Sequence, residues 1–354
     1  MNNNLSVVKD KKELYKKHYL TSIVFSRSIC SLGIVIFHYF EHANGNYKLY
    51  FKNANYDIGY MLVTCFFCMS GTVLFFNYPE IKFKKKFYYK RWKSILPSYY
   101  ICNFYFYISI SLITHKLIYK KPLYKLLLNL IGLDGYLISS YSINAFNLVG
   151  EWFLGAIIII YILYPFLLII INMNIFVVFF AIFTNYYLMY SSKIFGVVIP
   201  EKNIITCMIS FYFGMIVIKS KKNYLENKLI LVFFISLLAI ITLFKIHSSF
   251  VLIKQIQGFS LYIIIIHAGE FIMSKRYTKI FFIINNLSYS IFLYHHRIIW
   301  DFLSIFNPEQ LHWHLILLNL IIILTLICSS IHSNIVNYII KSKIFEIIDS
   351  YFLK

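Results

Sequence analysis

The sequence predicts an all-α integral membrane protein, a bundle of about ten transmembrane helices with both termini in the cytoplasm. Of its 354 residues, 60% are hydrophobic and only 14% are charged, and the mean hydropathy is +0.69. Soluble globular domains do not have this composition. Apolar runs of roughly 20 residues, the length that crosses a bilayer as a helix, recur along the chain. Basic residues are concentrated in alternate polar segments between these runs.

Ten apolar runs bounded by charged or turn residues give the candidate spans. Their predicted bounds, in order, are residues 21–42, 58–78, 95–114, 151–171, 175–190, 204–218, 229–244, 250–273, 280–302 and 314–332. The shortest are expected to extend into adjoining loops or to cross a locally thinned bilayer. Between the third and fourth spans, the amphipathic stretch 123–133 is expected to lie on the membrane surface.

The charge distribution predicts the orientation of the spans. Lys and Arg number 34 and Asp and Glu 14, a formal net charge of +20. With a cytoplasmic N-terminus, the inside segments hold 22 basic residues and the outside segments nine, while Arg27, Lys254 and Arg297 lie within spans. The positive-inside rule therefore favours two cytoplasmic termini. The same distribution excludes a nucleic-acid-binding module, because no polar segment is long enough to fold alone.

Three segments are predicted along the chain. Residues 1–20 form a basic cytoplasmic N-terminal segment, residues 21–332 the transmembrane domain, and residues 333–354 a cytoplasmic C-terminal tail. No cleavable signal peptide is expected, since no small-residue cleavage pattern follows the first apolar run. The six cysteines lie in apolar runs, and the Cys65–Cys68 pair has no second pair or nearby His. We expect buried thiols, no metal and no bound cofactor.

Two ionisable residues of the first span are functional candidates, because such side chains are costly inside a membrane. Arg27 and His38 are 11 positions apart in the sequence, which places them about 20° apart around a helix and about 16 Å apart along it. Alternatively, Arg27 extends to the headgroups and His38 bonds a neighbouring carbonyl. The shared face favours a polar seam inside the bundle.

Several other polar residues of the predicted spans have structural explanations as well as functional ones. His295 and His296 point about 100° apart on the ninth span, so one of them at most is expected to face the cavity of His38. Arg297 and Asp301 are spaced to pair with each other. Glu151 opens the fourth span, where a carboxylate favours a helix N-terminus.

Five segments, in this order, resemble motifs of the membrane acyltransferase-3 family, whose bacterial members include O-antigen and capsule O-acetyltransferases. The first is the Arg-ten-residues-His pattern of Arg27 and His38. The others are GYMLVTCFFCMSG (59–71), KRWKSILPSYY (90–100), GEWFLGAIIIIYILYP (150–165) and SYSIFLYH (288–295). One position departs from the family pattern: Ser94 stands three residues before Pro97, where members usually carry Arg.

The resemblance implies transfer of an acyl group, usually acetyl from acetyl coenzyme A, to a hydroxyl of a cell-envelope or capsular polysaccharide or its lipid-linked precursor. It implies that His38 is the catalytic group and Arg27 its essential companion, and that the protein is a multi-pass protein of the bacterial cytoplasmic membrane. The basic stretch before Pro97 would bind the acyl donor through Lys90, Arg91 and Lys93. The residues that the motifs add as supporting members of the site are Ser70, Glu151, Trp152, Tyr289 and His295.

The residues themselves are suited to this chemistry. Attack of a sugar hydroxyl on a thioester requires a base near neutral pH, and imidazole provides one; His38 would act either as this base or as a transient acyl carrier. The acyl-CoA co-substrate is polyanionic, and seven basic residues lie between Lys82 and Lys93, although topology and lipid anchoring explain them equally well. The expected partners are the bilayer, acyl-CoA, the glycan acceptor and other polysaccharide-biosynthesis proteins.

Two other classes of protein share these features. A non-enzymatic transporter or flippase of a lipid-linked glycan would also have ten spans and buried polar residues, although no internal repeat indicates inverted halves. In a structural membrane partner, Arg27 and His38 would only hold helices together.

Overall fold

The computed structural model describes residues 2–53, 55–114, 124–143, 152–173, 199–220, 227–244, 251–273, 278–306 and 308–353, together with residues 149 and 184. Within these ranges, the side chains of residues 2–20, 46, 113–114 and 124–125 are not described. In the described part of the chain, regular structure is helical apart from one isolated bridge between Lys52 and Asp57.

Twelve α-helices make up the described fold. They are α1 (Asn2–His42), α2 (Ile58–Asn77), α3 (Lys84–Thr114), α4 (Tyr124–Leu130), α5 (Asp134–Tyr141), α6 (Trp152–Ile170), α7 (Ile204–Lys219), α8 (Lys228–Leu243), α9 (Val251–Met273), α10 (Thr278–Ile305), α11 (Leu311–Ile340) and α12 (Lys343–Leu353). Short 3₁₀ helices occupy Asn46–Tyr50 and Pro200–Lys202. These helices follow the predicted order of apolar runs.

Five helices are long and apolar enough to cross a membrane: α2, α6, α9, α11 and the part of α1 from Thr21 to His42. The helices α7 and α8 are shorter and apolar. The helices α3 and α10 have 31 and 28 residues, and α3 begins with the basic stretch that the sequence predicted as a loop. Of the ten predicted spans, 175–190 lies largely outside the described residues. The described helices are those of a multi-pass membrane protein.

The helix α1 is surrounded by α2, α9 and α10 and carries buried small polar residues on several sides. Ser22, Ser26, Ser28 and Ser31 are all buried. The Ser28 hydroxyl contacts both the carbonyl oxygen of Val24, at 2.8 Å, and that of Phe281 on α10, at 2.7 Å. Small residues allow close helix approach in membranes, and their hydroxyls bond neighbouring backbones. This packing fixes the face of α1 that carries Arg27 and His38.

Two glycines bring α2 and α7 into backbone contact. A Cβ atom added at Gly71 would lie 1.9 Å from the carbonyl oxygen of Phe211, and one added at Gly214 would lie 1.9 Å from that of Cys68. No other residue fits at either position without separating the helices. The end of the FFCMSG segment is therefore a packing element that fixes the position of the adjacent Ser70.

The bundle has two distinct ends. The first, which we call the basic end, comprises 78–93, Lys219 and α12. There the Lys93 ammonium bonds Asp349 at 2.7 Å, the Tyr89 ring stacks on Phe352 at 4.6 Å, and the Tyr164 hydroxyl donates to the carbonyl oxygen of Tyr78 at 2.7 Å. The predicted C-terminal tail thus consists of the last turns of α11 and a helix packed on α3.

The opposite end, which we call the histidine end, comprises 42–53, 55–57, 199–203, 306 and 308–313. Lys254 pairs with Glu201 at 2.5 Å, and the Gln257 amide donates to the carbonyl oxygen of Asn55 at 2.7 Å. These contacts join α9 to the segments before α2 and α7. Lys254, a charge within a predicted span, is therefore explained by a partner at the same end of the bundle.

Candidate active site

A cavity of about 260 Å³ lies inside the bundle, enclosed by α1, α2, α3, α6 and α10. Its lining includes five of the residues predicted from the sequence: Arg27, His38, Ser70, Trp152 and Tyr289. Most of the remaining wall is apolar, including Phe66, Ile157 and Phe292. A largely apolar chamber with a few polar groups on different helices is typical of a small-molecule site.

Arg27 faces this chamber from α1 rather than the lipid. Tyr161 and Ser94 line the same cavity from α6 and α3. Among the described residues, no carboxylate pairs with the guanidinium and no side-chain hydrogen bond satisfies it. A cation enclosed by apolar helices without a counter-ion is costly. Its orientation and lack of a partner favour a binding site for an anionic or carbonyl group of a ligand.

His38 lies toward the histidine end and is oriented by Glu41, one turn further along α1. The Nδ1 atom of His38 is 3.0 Å from Oε2 of Glu41, and both side chains are about one-fifth exposed (20% and 23%). Because a carboxylate only accepts hydrogen bonds, Nδ1 carries a proton, and in the neutral imidazole Nε2 then carries the lone pair. Such a nitrogen can take a proton from a hydroxyl, and Glu41 would stabilise the resulting imidazolium.

Three more imidazoles surround His38. The ring centroids of His296, His295 and His42 lie 4.0, 5.4 and 6.3 Å from that of His38. His295 is fully buried on α10, and His42 is exposed at the end of α1. Both His295 and His296 approach His38 although they point in different directions, because His38 lies where α1 packs against α10. The structural role of His332 is different, since both of its ring nitrogens are hydrogen-bonded, to Tyr294 and Ser98.

The three predicted acyl-donor residues have separate positions. Lys90 lines a second cavity, of about 290 Å³, at the basic end together with Tyr78, Lys82 and Lys86. Lys93 pairs with Asp349 on α12. Hydrogen bonds from Lys93 and Tyr89 lower the pKa of the Asp349 carboxyl below its ordinary value. Lys93 is therefore neutralised, whereas Lys90 faces a cavity.

Arg91 lies between the two cavities. Its guanidinium carbon is 5.4 Å from the ring centroid of Tyr78, which lines the basic-end cavity, and 5.8 Å from that of Tyr161, which lines the central one. Its Nε atom is buried and has no hydrogen-bond partner among the described residues. Ser94, the departure from the family pattern, lines the central cavity, and its hydroxyl donates to the carbonyl oxygen of Arg91 at 2.9 Å.

The other predicted residues divide between the cavity wall and the helix contacts around it. The hydroxyl of Tyr289 donates to the carbonyl oxygen of Ile95 at 3.1 Å and so joins α10 to α3 beside the cavity. Glu151 lies outside the described residues. Arg297 and Asp301 form the pair predicted from their spacing, at 3.0 Å.

Sequence reasoning missed Glu41 and His42, and it expected one of His295 and His296 at most to face the cavity of His38, whereas both rings lie beside that of His38. Glu41 and His42 lie three and four residues after His38, a spacing that places all three on one side of a helix. That spacing was available in the sequence as a signal. The approach of His296 was not, because it depends on which helix packs beside α1.

Comparison with known proteins gives one match. A family model described as "Acyltransferase domain", the acyltransferase-3 model, matches residues 21–333. No curated protein and no solved structure matches the chain.

Proposed function

The chain belongs to the acyltransferase-3 family, and on that premise we propose that it transfers an acetyl group from acetyl coenzyme A to a hydroxyl of a cell-envelope or capsular polysaccharide or its lipid-linked precursor. One observation carries this proposal. A single cavity holds the unpaired Arg27 guanidinium and, nearer the other end of the bundle, the His38 imidazole oriented by Glu41. A binding group for an anionic or carbonyl group and a base for a hydroxyl therefore share one chamber.

The acyl donor binds from the basic end in this proposal. Coenzyme A carries phosphates, and the basic-end cavity presents Lys86 and Lys90, together with Lys82, which pairs with Glu80 of the same wall at 3.2 Å. Arg91 and then Arg27 follow toward the bundle centre, both without a counter-ion among the described residues. This order of cations suits acetyl coenzyme A, a polyanion with a long pantetheine arm. Its phosphates would remain at the basic end while its thioester enters the central cavity.

The proposed topology has ten spans and two cytoplasmic termini, as the charge count predicts. Two basic segments assigned to the inside, 82–93 and the C-terminal helix, meet at the same end of the bundle. Two segments assigned to the outside, 43–57 and 306–310, meet at the other, where the Tyr47 hydroxyl lies 3.5 Å from the carbonyl oxygen of Glu309. These contacts support cytoplasmic delivery of acetyl coenzyme A and an acceptor that enters from the histidine end.

The reaction exchanges one ester for another. The acceptor oxygen attacks the thioester carbonyl carbon, a C–O bond forms and the C–S bond breaks. Nε2 of His38 takes the hydroxyl proton and returns it to the departing thiolate, so the products are the O-acetyl glycan and coenzyme A. Alternatively, Nε2 is acetylated first and the acceptor then attacks the acetyl-imidazole; both routes use the same nitrogen.

Arg27 acts at a distance from the reacting atoms. Arg27 and His38 are 11 positions apart on one helix, or about 16 Å along its axis, so one bound carbonyl cannot contact both side chains. We assign Arg27 to the acyl donor, on a phosphate or the pantetheine arm, through its planar fork of donors.

The test is acetyl incorporation from labelled acetyl coenzyme A into the glycan of membranes that contain wild-type protein or the His38→Ala variant. General-base catalysis typically contributes about 10²- to 10⁴-fold, so we expect a loss of that size at equal protein level. His312, exposed on α11, gives a matched control, and His312→Ala should retain activity. Equal incorporation by wild type and His38→Ala would remove His38 from its assigned role.

Mass spectrometry of the surface glycan with and without the gene would identify the acyl group and the acceptor. Loss of O-acetyl groups from an otherwise normally exported glycan supports the proposal. Unchanged acetylation with glycan trapped inside would instead indicate transport.

A further inference from the structure

The geometry points to a second ligand of the histidine end: we infer that His38, His295 and His296 bind a zinc-class transition-metal ion, and that this ion inhibits acyl transfer reversibly. The inhibition rests on the proposed function, whereas the binding does not. Four imidazoles and one carboxylate converge here, more than the transfer chemistry uses. Imidazole nitrogen is a preferred ligand of zinc, cobalt, nickel and copper ions.

The ligand atoms are close to metal-binding distances. One nitrogen of each of His38, His295 and His296 lies within 4.8 Å of the others. A tetrahedral zinc ion with Zn–N bonds of about 2.0–2.1 Å holds its nitrogens roughly 3.3 Å apart. Coordination therefore requires the nitrogens to approach one another by up to about 1.5 Å.

Hydrogen bonds already orient two of the three rings as metal ligands. Nδ1 of His38 bonds the Glu41 carboxylate at 3.0 Å. Nδ1 of His295 lies 3.1 and 2.9 Å from the carbonyl oxygens of Ile291 and Phe292. Since carboxylates and carbonyls only accept, both Nδ1 atoms carry protons and both Nε2 atoms carry lone pairs. Metal-bound histidines almost always have this second interaction, which fixes the tautomer and raises the basicity of the ligating nitrogen.

The sequence around His38 adds an independent indication. Residues 38–42 read HYFEH, the H-x-x-E-H spacing that a class of zinc enzymes uses on a helix. This spacing places His38, Glu41 and His42 on one side of α1, and one ligand atom from each lies within 4.8 Å of the others. His42 is exposed at the histidine end, so it provides a first contact for an ion that moves inward to His38.

The expected effect on the reaction is inhibition. A metal ion coordinated by Nε2 of His38 occupies the lone pair that would accept the proton or the acetyl group. The ion and the reaction therefore compete for one nitrogen. His296 has no place in the proposed transfer step, so its substitution separates metal binding from catalysis.

The experiment uses the full chain, purified without a polyhistidine tag and reconstituted in lipid nanodiscs. Titration with Co²⁺, followed by its visible ligand-field absorption and reversed by added Zn²⁺, should show one site per chain. His296→Gln should weaken Co²⁺ binding at least about tenfold, since the loss even of an outer hydrogen bond to a ligand costs 10- to 100-fold. His312→Gln is the matched control, because His312 lies exposed on α11, and should bind like wild type.

Acetyl transfer is then measured over the same range of Zn²⁺ concentrations. Wild type should lose activity as the site fills and regain it with chelator, whereas His296→Gln, compared with its own rate without added metal, should require at least about tenfold more Zn²⁺ for the same fractional loss. Equal Co²⁺ affinity of wild type and His296→Gln would overturn the site, as would the absence of a saturable spectrum. Loss of activity on chelation of the untreated enzyme would overturn the inhibitory role. Failure of transfer in every sample with Co²⁺ binding intact would contradict the proposed function and leave the site established.

Discussion

The environment of Arg27 distinguishes a ligand-binding role for this residue from a structural one. The headgroup interpretation requires its guanidinium to reach water or lipid, but it opens into an internal cavity and has no counter-ion among the described residues. A residue that only stabilised the fold would have a partner. An unpaired internal cation reduces the stability of the protein, so its retention is explained by what it binds.

The variant Arg27→Met distinguishes the two roles by its effects on thermal stability and on the KM for acetyl coenzyme A. Replacement of an unpaired internal cation by an apolar side chain of similar length should leave the melting temperature unchanged or raise it. The KM for acetyl coenzyme A should rise about 10- to 100-fold, because charged hydrogen bonds contribute about 1.5–3 kcal/mol. Thermal unfolding in detergent and initial rates at varied acetyl coenzyme A measure the two effects.

Arg297→Met provides the comparison, since Arg297 pairs with Asp301 and does not line the cavity. It should leave the KM unchanged. A lower melting temperature for Arg27→Met with an unchanged KM would assign Arg27 to helix packing.

Glu41 was not predicted from the sequence, yet it determines which nitrogen of His38 is reactive. In Glu41→Gln the carboxylate is lost, and the new amide can donate to Nδ1 as well as accept from it. The reactive Nε2 tautomer is then no longer favoured, and an imidazolium loses its counter-ion. We expect kcat to fall about 10- to 100-fold, the equivalent of one hydrogen bond to a charged group, with little change in the KM for acetyl coenzyme A.

Steady-state rates of Glu41→Gln and Glu309→Gln, compared at equal protein level, test this expectation. Glu309 lies exposed at the same end of the bundle, so Glu309→Gln removes the same charge from the same surface without contacting His38. Equal kcat values for the two variants would show that Glu41 does not orient His38.

The apolar runs predict the helices well, whereas the polar flanks predict the helix ends less well. The predicted runs 58–78 and 250–273 agree with α2 and α9 to within a residue at each end, because membrane helices are defined by their apolar length. The start of α3 was missed by 11 residues, since a run of lysines looks like a loop. Nothing local in residues 343–353 indicates that they pack on α3, because that contact depends on residues 250 positions away.

The helix α12 is held on α3 mainly by apolar and aromatic contacts. Phe345 is buried beside Trp92, and Phe352 stacks on Tyr89. The Lys93–Asp349 pair, whose side chains are 22% and 30% exposed, is worth less than about 1 kcal/mol at such a partly solvated site. The ion pair therefore sets the register of α12, while its apolar face provides most of the attachment.

The pH dependence of this attachment follows from Asp349. Its native pKa lies below the ordinary value of about 3.9. The ionised carboxyl therefore stabilises the docked helix above that value, and the contribution is lost only as the pH falls through the lower native pKa. Tryptic cleavage after Lys341 and Lys343, compared at pH 8 and pH 5 relative to an unfolded reference peptide, should show equal protection.

Asp349→Asn should raise the cleavage rate no more than about fivefold, the factor that corresponds to 1 kcal/mol. The exposed Glu346 on the same helix supplies the control variant Glu346→Gln, which should not change the rate. Complete loss of protection in Asp349→Asn would mean that the ion pair, and not the aromatic contacts, holds α12.

Across the bundle, the sequence predicts the residues of the site but not their convergence. Arg27 and His38 were identified because they share a face of one helix, a relation that helix geometry alone provides. The cluster of His295 and His296 beside His38, and the separation of Lys90, Arg91 and Lys93 into three environments, depend on packing between helices distant in the sequence. For the same reason Ser94, which stands where the family usually carries Arg, is found lining the central cavity and bonded to the carbonyl oxygen of Arg91.

Orientation in the membrane connects this geometry to the proposed direction of transfer. Acetyl coenzyme A is made in the cytoplasm, so the basic end must face inward if it receives the donor, and the histidine end must then face outward.

Single cysteines introduced at Asn44 and at Ser350, both exposed and at opposite ends of the bundle, test this orientation with a membrane-impermeant maleimide. The six native cysteines give little background, because five are buried and Cys328 is half-buried. Asn44→Cys should react in intact cells, whereas Ser350→Cys should react only after the membrane is permeabilised. The reverse pattern would place the basic cavity outside, where it would meet no acetyl coenzyme A, and the proposed route of the donor would be wrong.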